Sequence, residues 1–74
     1  MQVRFKNASH KRSFVLSAIA PGEKLTLHQL RERLAARGWR VSSRELAQFI
    51  RYNMLYRYLK VEKRNGVNIY QRVR

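Results

Sequence analysis

The sequence predicts a small α+β domain in which three helices are followed by a β-hairpin. Three observations predict it. Two segments carry apolar residues at helical spacing directly behind capping motifs, Thr26…Gln29 and Ser42…Glu45. An earlier helical stripe is closed by Pro21-Gly22. From Leu59 onward the apolar period switches to two, with Asn65-Gly66 in the middle. With 74 residues there is room for one domain, residues 1–74. A chain of this size buries only about 60–65% of the surface it exposes when unfolded. There is no cysteine, so neither a disulfide nor a thiolate metal site can staple it. The hydrophobic share of 45% is ordinary for a globular domain.

Residues 1–8 read as a basic arm or a short N-terminal strand. Helix 1 is expected over 9–20, with Ser9 as N-cap and Asn7 as the competing choice. Phe14, Val15, Ala18 and Ile19 form its stripe, and Leu16 lies off it, which implies a helix touched on more than one side. Helix 2 is expected over 27–37, with Leu27, Leu30 and Leu34 inward and Gly38 at its left-handed C-terminal stop. Trp39 is read as covering the core between helices 2 and 3. Helix 3 is expected over 42–54, with Leu46, Phe49, Ile50 and Met54 inward and Asn53 as its left-handed end. The hairpin is expected over 58–74. A three-residue loop, Arg64-Asn65-Gly66, would place Leu59, Val61, Val67, Ile69 and Val73 on one face and Tyr58 and Tyr70 on the polar face. That register needs a type I turn with Gly66 in a bulge.

Charge limits the partners. Twelve arginines and five lysines stand against four glutamates and no aspartate, a net of +13. A domain so unbalanced repels itself, and a polyanion relieves that. Nucleic acid is the first candidate; an anionic membrane surface or an acidic protein are the others. The most apolar stretch, Phe14 to Ala20, is far short of the roughly 20 residues a spanning helix needs. Its Ala18-Ile19-Ala20 ending looks like a signal-peptide cleavage site, but the apolar stretch is too short and its basic lead too long. Catalysis has little to work with. His10 and His28 lack metal-ligand spacing, and Gly22, Gly38 and Gly66 are isolated turn residues. No enzyme activity, metal or cofactor is expected.

The order helix, helix, Gly-containing turn, helix, basic hairpin resembles the winged helix-turn-helix family from about Ser9 to Arg74. Gly38 is followed by Val41, Leu46 and Phe49, with Trp39 and Arg40 making the turn about two residues longer than the tightest helix-turn-helix. The resemblance implies a third helix in the DNA major groove and a wing along the backbone or minor groove. Arg44, Gln48 and Arg51 lie at i, i+4 and i+7, one outward ridge of side chains suited to base edges. Ser42 and Ser43 at the helix start suit a phosphate. Arg40 and Tyr52 flank the ridge. Lys63, Arg64 and Asn65 at the wing tip, with Lys60 and Arg72 on the polar face, suit backbone contact. Arg4, Lys6, Lys11 and Arg12 are candidates for an added arm.

Double-stranded DNA binding, specific or semi-specific, is therefore expected, by a transcriptional regulator or nucleoid-type factor located in the cytoplasm. An RNA-binding or ribosome-associated winged helix and a protein-interaction module are the alternatives. A monomer or a weak homodimer would both satisfy the sequence.

Overall fold

A computed structural model describes residues 3–74. Its elements run α1 (Ala8–Ser17), β1 (Lys24–Thr26), α2 (Leu27–Ala36), α3 (Ser43–Asn53), β2 (Leu59–Arg64) and β3 (Val67–Arg72). The strands form one antiparallel sheet in the order β1-β3-β2. Three helices against a three-stranded sheet whose last two strands form a hairpin is an α+β layout, compatible with a winged helix.

The helix boundaries follow from their caps. Asn7, rather than Ser9, starts α1: its side chain accepts from the His10 amide at 2.9 Å. The helix ends at Ser17, short of residue 20. Ala18 and Ile19 are nonetheless buried, in the turn that follows. Thr26 and Gln29 form the reciprocal capping box of α2, at 3.1 and 2.9 Å. Gly38 follows with φ 101°, the left-handed stop expected there. Ser42 caps α3, its hydroxyl accepting from the Glu45 amide at 3.1 Å. Asn53 is the last residue of α3 and not a left-handed cap; its side-chain amide donates back to the Phe49 carbonyl at 3.1 Å. The left-handed residue comes later, at Tyr56 with φ 67°.

The core gathers Val15, Ala18 and Ile19 from the first helix and its end, and Leu30 and Leu34 from α2. Leu46 and Ile50 come from α3 and Met54 from its C-cap, and Leu25, Leu59 and Tyr70 from the sheet; Trp39 and Val41 plug the turn between α2 and α3. Phe49, expected inside, is half-buried and packs on this core from its edge.

The hairpin differs from expectation in register. Arg64 pairs with Val67, Glu62 with Ile69 and Val61 with Tyr70, so the turn has two residues, not three. Asn65 and Gly66 both have positive φ, 50° and 78°, which is a type I′ turn. Residues directly opposite share a face, so Leu59, Val61 and Tyr70 point to the core, and Val67 and Ile69 point away. Two terms outweigh the apolar alternation of β3. The Asn-Gly turn matches strand twist better than a bulged loop. The Tyr70 ring also buries more area than Val67 or Ile69 would. Tyr70 is 3% exposed, while Val67 and Val73 are exposed at 46% and 38%.

Strand β1 has no counterpart among the expected elements. Leu25 pairs with Tyr70 and Thr26 with Ile69, so the core-facing row across the sheet reads Leu25, Tyr70, Val61. No N-terminal strand forms among residues 3–7, and residues 1–2 of the expected arm lie outside the described residues. The segment is tied down instead. The Val3 amide donates to the Gly38 carbonyl at 2.8 Å, and the Phe5 ring packs edge-on against Phe14 at 5.3 Å and Trp39 at 5.0 Å.

Candidate nucleic-acid interface

The outer face of α3 and the core-side face of the wing enclose an open groove of ≈ 480 Å³. Arg44, Ala47, Gln48, Arg51 and Tyr52 line it from the helix; Val61, Asn68 and Tyr70 line it from the hairpin. The position of the ridge follows from the sequence. Leu46 and Ile50 are fully buried, so residues on the opposite side of the helix, 44, 48 and 51, face water, and all three are exposed. The groove floor is also fixed. Burial of the Tyr70 ring pushes its phenol pKa up, against a smaller opposing pull from the Asn68 side chain.

The start of α3 is braced from α2. Arg31 donates through Nε to the Val41 carbonyl at 3.0 Å and through its terminal nitrogen to the Ser43 hydroxyl at 3.0 Å. Both candidate phosphate-binding serines therefore already accept a bond: Ser42 from the Glu45 amide, Ser43 from Arg31. Their hydroxyl protons remain to donate. Arg40 lies exposed in the turn just before them.

The register divides the wing cations between two faces. Lys63 pairs with Asn68 and lies on the groove side. Lys60 and Arg64 lie on the far side, where Lys60 shares a row with Gln71 and Lys24. Arg64 also pairs with Glu62 at 2.6 Å, an exposed ion pair worth little in water. Asn65 sits at the tip and supplies the turn conformation.

Arg72 stands apart from this surface. Its pairing with Leu59 puts it on the core side of the sheet, not on the polar face. Its guanidinium donates to the Leu16 and Ile19 carbonyls at 3.1 and 3.0 Å. Arg33 donates to the Ala18 carbonyl at 3.1 Å and Arg37 to the Ser17 hydroxyl at 2.8 Å. Three arginines thus close the carbonyl end of α1, where cations are favoured. Arg33 is also bidentate to Glu23, at 2.7 and 2.8 Å. That bond, with the Ala20 amide, holds the Glu23 carboxyl below its ordinary pKa. Nothing in the local spacing of Arg33 and Arg37 signals partners 15 and 20 residues away.

On α1, Lys11 is turned inward. Its ammonium lies 4.9 Å from the Phe49 ring centroid and 5.1 Å from that of Trp39, a cation–π contact that joins α1 to the flank of α3. Trp39 itself is only 6% exposed, its ring packed against Phe5, Phe14 and the Lys11 ammonium. Among the described residues no group of three or more His, Asp or Glu could hold a metal ion, and no helix is long and apolar enough to cross a membrane.

Comparison with known protein families, with characterised proteins and with solved structures gives no match.

Proposed function

We infer that the chain binds double-stranded DNA, with α3 against base edges and the wing against the sugar–phosphate backbone. The observation that carries this reading is the groove itself. An exposed Arg44–Gln48–Arg51 ridge faces a hairpin that presents Lys63 on the same side, in a domain of net charge +13. A helix of this width fits the major groove of B-DNA, where arginine suits guanine and glutamine suits adenine. An exposed apolar ridge would have favoured a protein partner; here the ridge is cationic and amide-bearing. A role in transcriptional regulation or in coating the nucleoid is consistent with such binding.

The experiment is a titration of labelled duplex DNA followed by fluorescence anisotropy across a salt series. With about five phosphates neutralised, log K should fall against log salt with a slope near −4.5. A slope shallower than about −2 assigns the basic surface to another partner. Structured RNA at matched salt should bind at least about tenfold more weakly; equal or tighter binding to RNA would favour the RNA-binding alternative.

A further inference from the structure

Where α3 gives way to the wing, the chain displays two aromatic rings that it does not bury. The protein has eight aromatic residues. Six of them, Phe5, Phe14, Trp39, Phe49, Tyr58 and Tyr70, belong to the core or pack against it. Tyr52 and Tyr56 are 71% and 73% exposed. Tyr56 is the more telling of the two. Its φ of 67° lies in the left-handed region that a bulky L side chain rarely adopts. The turn needs that conformation: the Tyr56 amide donates to the Leu59 carbonyl at 2.6 Å, and Leu55 bridges to Leu59, reversing the chain into β2. Glycine or asparagine would make the turn without penalty. A tyrosine there costs backbone energy and recovers little of it by burial.

The surroundings indicate what the rings are for. Tyr52 lines the groove beside Arg51, whose guanidinium lies 5.9 Å from its ring centroid. Tyr56 is followed directly by Arg57, which is exposed. Flat π-faces flanked by guanidinium groups suit a nucleobase and its phosphate. A second copy of the chain is a poorer occupant, because each copy carries +13.

We propose that Tyr52 at the groove edge and Tyr56 in the turn after α3 each offer a ring on which unpaired bases stack, so that the protein prefers a junction of duplex and single strand to a blunt duplex. The proposal rests on the DNA-binding reading above, and the test separates the two. Four ligands are compared by anisotropy at matched salt: a blunt duplex, the same duplex with a short unpaired tail, the same duplex with an abasic tail, and the tail strand alone. The tailed duplex should bind about fivefold or more tighter than the blunt and abasic ones. Tyr56→Gly keeps the turn and removes the ring, and should erase that preference while leaving blunt-duplex affinity unchanged. Tyr56→Phe should retain it. A 2-aminopurine base in the tail should be quenched by the wild-type protein and not by Tyr56→Gly.

Equal affinity for tailed, abasic and blunt duplexes overturns the stacking proposal and leaves duplex binding standing, and so does a preference unmoved by Tyr56→Gly. Binding to the tail strand with none to the blunt duplex overturns the duplex reading and supports stacking. No binding to any ligand overturns both. A dimer in sedimentation that Tyr56→Gly dissolves assigns the rings to a second copy and overturns the stacking proposal.

Discussion

Substituting Tyr70 and Ile69, neighbours on β3, tests the hairpin register, on which the groove wall depends. The two-residue turn puts Tyr70 in the core at 3% exposure and leaves Ile69 half-buried opposite Glu62. Removing a buried aromatic ring costs about 3–5 kcal/mol, from lost transfer energy and the cavity left behind. Ile69→Ala, from a half-buried position against a charged neighbour, should cost about 1 kcal/mol. A domain of 74 residues has about 4–11 kcal/mol of stability in total. Tyr70→Ala therefore approaches complete unfolding, and Tyr70→Leu, which keeps most of the volume, should remain measurable at about 2 kcal/mol. Urea unfolding followed by far-ultraviolet circular dichroism gives both values from the midpoint and slope. A three-residue turn would reverse the order, with Ile69 in the core and Tyr70 in water. Ile69→Ala costing more than Tyr70→Leu would refute the register and the assignment of Asn68 and Tyr70 to the groove.

The groove should distinguish reading from holding: Arg51→Ala is expected to weaken binding to a selected site by about 1–3 kcal/mol and random-sequence binding less. Lys63→Ala should weaken both about equally and reduce the salt slope by about one; the same uniform loss from both variants in anisotropy would show that α3 does not read bases. At the wing turn, a Cβ on Gly66 meets nothing within 4 Å, so only its positive φ opposes substitution. Gly66→Ala should cost about 1 kcal/mol in thermal unfolding, and D-alanine at the same position should cost nothing. Glu23 supplies a pH dependence. Its folded pKa lies below the unfolded one, so its stabilisation is complete above the ordinary carboxylate range and is lost as pH falls through the folded value. Glu23→Gln should flatten that part of the acid melting-temperature profile, and an unchanged acid limb would dissociate the Arg33 pair from stability.

Much of the fold was legible because its signals are local. Thr26 and Gln29, Ser42, and Gly38 mark helix ends within four residues of chain, and the helix ends fall there. The Arg44–Gln48–Arg51 ridge follows directly from the inward positions of Leu46 and Ile50. What escaped depends on distant partners or on competing terms. Strand β1 offers three residues, with only Leu25 buried, too short for an alternating pattern to show. The register set a good Asn-Gly turn against a good apolar alternation, and the turn together with the Tyr70 ring prevailed. Arg72 resembles one more wing cation, yet its partners lie in the last turn of α1 and just after it, 56 and 53 residues earlier. Lys60 and Lys63 look alike in sequence, and only the register places Lys63 on the groove side.

The most direct test of DNA binding through α3 and the wing is a heteronuclear NMR titration of the protein with a DNA duplex. Amide and arginine Nε–H shifts should concentrate in residues 43–52 and 60–68, strongest at Arg44, Gln48, Arg51 and Lys63, with the α1-end arginines Arg33, Arg37 and Arg72 little moved. Shifts centred instead on Arg33, Arg37 and Arg72, or no shifts at all, would contradict the assignment.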